Sequence, residues 1–233
     1  MSLFTFSPHV DQRTLQADTL LITVGSYTDA GRVQRLIDDA LLNNLANYEL
    51  GSFDSDRLYD YTGHRPVITF DQDHFRDYER PELKLHHLTD VGGKPFLLLS
   101  GPEPNFQWEN IASSVDYLID QFGVQKSVIV HGFPAPTPHT RPTFVSQFAQ
   151  QADLRDDSKR LPMSFQMSSA FGGMLAYRLG EADRNVMGLI AHVPQYLAHT
   201  EHPAAAIALL DGVMGSTGLA LPTASLEGRV GQT

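Results

Sequence analysis

The stretch Phe96-Leu97-Leu98-Leu99-Ser100-Gly101-Pro102-Glu103-Pro104-Asn105-Phe106-Gln107-Trp108 joins a wholly apolar run to a stiff polar loop. Four consecutive apolar residues closed by Gly-Pro predict a core strand. Pro102 and Pro104 restrict the backbone on either side of Glu103, so the carboxylate is presented from a rigid turn. Beyond it Ile111, Val115, Leu118, Ile119 and Phe122 recur at helical spacing up to Gly123, with Asn105 or the residues just after it as the cap. Two uses of the loop fit these residues. One is a tight turn in which Glu103 satisfies backbone donors; the other is a ligand contact, which requires several such loops to converge.

Three further stretches repeat the pattern. Thr19-Leu20-Leu21-Ile22-Thr23-Val24 is followed by Gly25-Ser26-Tyr27-Thr28-Asp29-Ala30-Gly31 and a helix bearing Val33, Leu36, Ile37, Ala40, Leu41 and Leu45, which places Asp29 at a helix start. Ser127-Val128-Ile129-Val130-His131-Gly132-Phe133 opens into a proline-constrained loop that carries His139 and Arg141. Val186 to Pro194 forms the fourth run, with His192 near its end.

Between the first and second of these units, short strands are expected around Tyr48-Phe53, Pro66-Phe70 and Leu83-Leu88, as an antiparallel insert. After Thr143-Phe148 the polar stretch Gln150 to Arg160 reads as a surface excursion. Ser168 or Ser169 is the expected cap of a helix over Met174, Leu175, Tyr177 and Leu179. A last helix runs from about Pro203 and stops at Gly215 or Gly218. Buried strands alternating with amphipathic helices predict a three-layer α/β/α domain, its sheet mostly parallel with antiparallel additions. One domain over residues 1–222 is expected, with 223–233 a mobile tail that has little to bury.

The 233 residues are 42% hydrophobic and 19% charged, enough to bury a substantial core. A formal charge of -10 argues against nucleic-acid binding, which needs a basic face to displace counterions. No run approaches the ~20 apolar residues of a membrane span, and residues 1–7 lack the charged and apolar regions of a secretory signal. With no cysteine there is no disulfide or thiol chemistry, and a cytoplasmic location is expected.

Familiar catalytic and cofactor templates fail. A phosphate-binding loop ending at Lys94 would need a glycine where Leu88 stands and a hydroxyl where Pro95 stands. No G-x-G-x-x-G follows the first strand, and Ser100 does not sit in a G-x-S-x-G elbow. His199 and His202 flank a loop rather than a metal pair, and the adjacent His86 and His87 on a strand point to opposite faces. No cofactor and no metal are expected. Asp29, Glu103, Asn105, His139, Arg141 and His192 remain as candidate ligand-binding residues at the carboxyl ends of separate strands. Such a set can serve as a rigidifying polar network. Alternatively it forms a pocket in which His139 exchanges protons, Glu103 orients it and Arg141 holds an anion.

Five short motifs occur together in order: Asp29-Ala30-Gly31; Arg65-Pro66; Gly101-Pro102-Glu103-Pro104-Asn105 with Trp108; Pro138-His139-Thr140-Arg141-Pro142; and Val193-Pro194 with Tyr196. Over roughly Leu20 to Leu210 the chain resembles the second proteasome assembly chaperone family in its actinobacterial form. The resemblance implies a phosphorylase/hydrolase-like α/β/α fold and a homo-oligomer, with a trimer as one form. It also implies a protein partner related to the proteasome, since eukaryotic relatives pair with a sister subunit to guide assembly of the α ring. The implied role is protein binding rather than catalysis. Gln195 stands where the family pattern carries a histidine, which removes one imidazole from the candidate cluster. The final residues Val230-Gly231-Gln232-Thr233 do not match the hydrophobic-tyrosine tail by which archaeal relatives dock, and actinobacterial relatives often run longer.

Overall fold

The structure, a computed structural model, describes residues 3–8, 10, 14–161, 164 and 166–230. Ten strands appear in chain order: β1 Phe4–Phe6, β2 Thr19–Val24, β3 Ala46–Phe53, β4 Thr69–Asp71, β5 His74–Arg76, β6 Lys84–Thr89, β7 Pro95–Gly101, β8 Lys126–Ala135, β9 Val145–Ala149 and β10 Val186–Pro194. The helices are α1 Val33–Asn44, α2 Ser55–Leu58, α3 Trp108–Phe122, α4 Phe171–Glu181, α5 Pro203–Thr217 and α6 Ala224–Glu227.

Eight strands form one sheet in the order β1-β3-β6-β7-β2-β8-β10-β9. Its centre, β7-β2-β8-β10, is parallel, and β3, although it pairs antiparallel with β6, points the same way. The remaining strands, β1, β6 and β9, run against them. The expected mixed sheet with a parallel centre is therefore present.

The apolar runs read as continuous because both faces of the central strands are covered. Along β2, Leu20, Ile22 and Val24 enter the layer that holds α3 and α4, whereas Leu21 enters the layer of α1 and α5. Leu97 and Leu99 of β7 share the α3 side, and Phe96 and Leu98 the α1 side. The period-two alternation of strand side chains thus feeds two cores from one run of leucines.

The cap of α3 falls just after Asn105, as expected: it is Gln107, in a left-handed conformation with φ 66°, and its side chain makes no capping bond. The Asn105 side chain instead accepts the Asp60 N–H at 2.9 Å, tying the loop to the insert. Neither Ser168 nor Ser169 caps α4, whose N-cap is Ala170 with no side-chain bond of its own. A second correction concerns the segment from Thr223. It forms α6 and buries Leu226 to 1% exposure against the α1 and α5 layer, because Leu219, Leu221 and Leu226 insert there together. Residues 231–233 of the expected tail lie outside the described residues. Of the insert, β3 and β6 join the main sheet, while β4 and β5 stand apart as a two-stranded hairpin.

Candidate functional site

After β2 the chain crosses to α1 on one face of the sheet, and after the neighbouring β7 it crosses to α3 on the other. Loops that part in this way open a crevice at the carboxyl ends of the strands, where α/β sheets take their ligands. Here the crevice is a cleft of about 670 Å³. Ser26, Tyr27 and Asp29 line it from the β2 loop, Glu103, Asn105 and Trp108 from the β7 side, and Arg65 and Arg80 from the insert.

Three of the six candidate residues meet at this cleft. Glu103 Oε1 accepts the Phe171 N–H at 2.7 Å and Oε2 accepts the Tyr27 N–H at 3.2 Å. It thereby caps α4 and holds the β2 loop, with the helix dipole favouring its charge. Tyr59 braces the same loop by donating its hydroxyl to the Pro102 carbonyl at 2.9 Å. Asp29 Oδ1 accepts the Gln34 N–H at 3.2 Å, reaching past a 3-10 turn over Ala30–Arg32 to the first turn of α1. Burial raises the Asp29 carboxyl to a pKa of about 6, against the smaller opposing pull of the backbone donors and Arg32. Within the cleft, then, Asp29 is a carboxyl that exchanges its proton near neutral pH.

His139, Arg141 and His192 lie away from it, toward β8, β9 and β10. The Tyr196 hydroxyl accepts the His139 backbone N–H at 2.9 Å and meets the ring Nδ1 at 2.6 Å. Arg141 is exposed in the loop before β9, its backbone N–H donating to the Pro138 carbonyl at 3.4 Å. His192 bonds Ser146 Oγ through Nε2 at 2.8 Å and tilts against Phe144, and burial lowers its pKa. The six residues share one edge of the sheet but divide into two groups.

The edge is organised by a residue that sequence reasoning passed over. His131, on β8, meets Thr28 Oγ1 through Nε2 at 2.8 Å and Ser26 Oγ through Nδ1 at 3.3 Å. Burial depresses its pKa to about 4, so the ring is neutral and suited to hydroxyl partners on both nitrogens. The signal available was a lone imidazole inside the apolar run Val128-Ile129-Val130-His131. Gln34 works beside it: its buried amide donates to the Val24 and Val130 carbonyls, closing the gap where β2 and β8 separate. On the neighbouring turn of α1, Asp38 accepts the Thr23 hydroxyl, and burial raises its pKa well above the usual carboxylate range.

A model of the PAC2 family matches residues 23–233. The chain belongs to the PAC2 family. Among solved structures, a Corynebacterium glutamicum protein of unknown function is 31% identical, with TM-score 0.90, covering 99% of this chain and 87% of that one. A Mycobacterium tuberculosis proteasome-assembly chaperone homologue is 26% identical at TM-score 0.83, covering 91% and 90%. A Pyrococcus furiosus archaeal proteasome activator shares the PAC2 fold at TM-score 0.70 with 13% identity, covering 100% and 96%. No curated protein matches. Among the described residues no helix of this PAC2 chain is long and apolar enough to cross a membrane.

Proposed function

We propose that this protein works as a self-associating, cytoplasmic binding protein of the proteasome-assembly-chaperone type. The observation that carries the reading is its 26% identity over 91% of its length to a proteasome-assembly chaperone homologue. The edge chemistry agrees with it: Glu103, Asn105 and Tyr59 bond atoms of the chain itself, which stiffens a rim suited to protein contact. Native mass spectrometry of the purified chain mixed with purified proteasome α-type subunits tests it. A complex of fixed stoichiometry supports the reading, and separate species at micromolar concentration overturn it.

A second reading has one specific observation in its favour, the raised pKa of Asp29 inside a cleft at the parting of two loops. Here the cleft holds a small hydrogen-bonding ligand between Asp29, Glu103 and Asn105, while His139, Arg141 and His192 contact a ligand separately. Thermal-shift screening against a metabolite library checks this. A stabilising compound whose effect disappears in Asp29→Asn supports it; an unshifted melting temperature across the library sinks it.

A further inference from the structure

The cleft at the parting of the β2 and β7 loops takes a further wall from the root of the β4–β5 hairpin, with Arg65, Pro66 and Val67 on the way out and Glu79, Arg80 and Pro81 on the way back. The Glu79 N–H donates to the Val67 carbonyl at 2.9 Å and closes that root. Several charges of the lining are already spent. Glu103 gives both oxygens to backbone N–H groups, Arg80 reaches Asp56 at 3.4 Å, and His64 acts on the Asp60 carboxylate. Arg65 and Asp29, of opposite sign and on different walls, are not spent on each other. Arg65 makes no side-chain hydrogen bond or ion pair among the described residues. Asp29 holds the Gln34 N–H through Oδ1, its carboxyl is desolvated by burial, and Arg32 is the cation that acts on it. Since Arg65 does not act on Asp29, a ligand that meets both has to span the cleft. The Glu79 carboxylate belongs to an exposed residue of the hairpin, where water supplies what a counter-charge would.

We infer that this cleft binds short zwitterionic peptides, with the ligand's ammonium at Asp29 and its terminal carboxylate at Arg65. The inference rests on the ligand-binding reading of the cleft above and names the class of ligand. A guanidinium meets a carboxylate through two parallel N–H bonds, and an ammonium supplies the counter-charge that a desolvated carboxyl lacks. The formal charge of the chain narrows the choice. At -10 it repels anions and attracts cations at many places, whereas a ligand with both signs and no net charge is selected only where both partners occur together. Size narrows it further. A cleft of about 670 Å³ lies in the range that encloses a drug-sized ligand, the bulk of a tripeptide, whose extended chain spans on the order of 10 Å. The rest of the lining suits apolar side chains. Pro66, Pro81, Pro102 and Pro104 bring carbon surface and no N–H to the walls, and Tyr27, 63% exposed, adds a ring.

Equilibrium binding of the tripeptide alanyl-phenylalanyl-alanine at neutral pH, with free termini, N-acetylated or C-amidated, tests the assignment. The free form is expected to bind with a dissociation constant below millimolar, and each blocked form about 10- to 100-fold more weakly, through loss of one charge-assisted bond. Arg65→Gln is expected to weaken the free peptide by a similar factor and to bind it and its amide alike. Asp29→Asn is expected to bind the free peptide and its acetylated form alike. Arg35→Gln removes the same charge from the exposed side of α1 and is expected to bind as wild type does. All three variants should keep the wild-type far-ultraviolet spectrum. Absence of binding at millimolar peptide, equal binding of the three forms, or a loss in Arg35→Gln as large as in Arg65→Gln overturns the inference. A library compound that stabilises the protein through Asp29 while the peptide fails overturns it alone and leaves the cleft a ligand site; where neither binds, both readings fall.

Discussion

Glu103 accepts N–H groups from two segments far apart in sequence, Tyr27 before α1 and Phe171 at the start of α4. A charged acceptor at a helix N-terminus bonds more strongly than a neutral one, and an amide in its place turns an NH₂ toward one of the two donors. Glu103→Gln is therefore expected to cost about 1–2 kcal/mol of stability in urea titration and to speed hydrogen exchange at the Phe171 amide. Ser168→Ala and Ser169→Ala, substitutions at the positions where sequence alone places the cap, should each stay within about 0.5 kcal/mol of wild type. A large loss at either serine, with none at Glu103, would reverse the assignment. The stiff presentation of Glu103 was legible in Pro102 and Pro104. Its donors were not, because Tyr27 comes beside it only once β2 and β7 pair, and Phe171 only once α4 packs against α3 and the sheet.

At the scale of elements, four buried strands and four long helices could be read from their apolar runs, since burial on both faces leaves a plain signature. Strand order leaves none. The sequence order β2, β7, β8, β10 becomes β7-β2-β8-β10 across the sheet, and this exchange decides that Asp29, Glu103 and Asn105 share a cleft while His139 and His192 stand apart. His131 escaped notice because a single imidazole in a strand has no spacing to read. The carboxyl-terminal segment was underestimated for a related reason: α6 is a four-residue helix, too short for a period, yet it buries Leu226 completely. Leu226→Ala is expected to cost about 2–4 kcal/mol by removing buried atoms and leaving a cavity, read as a lower urea midpoint with unchanged slope. Gly132 on β8 makes a second test of packing between elements. A β-carbon there would lie 2.2 Å from the Ala30 carbonyl oxygen in the turn ahead of α1. Gly132→Ala is expected to lower the melting temperature, and a neutral result would mean that the turn is not seated on β8.

The whole molecule answers to pH through buried groups of opposite sign. His131 is held neutral down to about pH 4, whereas an unfolded histidine takes its proton near ~6.5. Between these values the unfolded chain binds more protons, so stability falls as pH falls. Burial lowers His86, His87, His192 and His202 as well, in the same direction. Asp29 acts the other way. Its folded carboxyl keeps a proton up to about pH 6, whereas the unfolded one releases it near ~3.9, so ionising Asp29 destabilises the fold as pH rises through that window. Asp38 adds to this direction. The difference between Asp29→Asn and wild type isolates one contribution, because asparagine can still accept the Gln34 N–H but carries no charge to bury. At pH 7 the variant is expected to be more stable by on the order of 1–3 kcal/mol, and below about pH 4 the gap should close as Asp29 is protonated in both states. Its stability must also fall more steeply than that of wild type as the solution is acidified from pH 6.5 to 4, since the carboxyl that offsets the histidines is gone. Urea titrations of both proteins at matched pH values measure this. A gap that does not change with pH would show that Asp29 is not the buried acid opposing His131 at the carboxyl edge of the sheet.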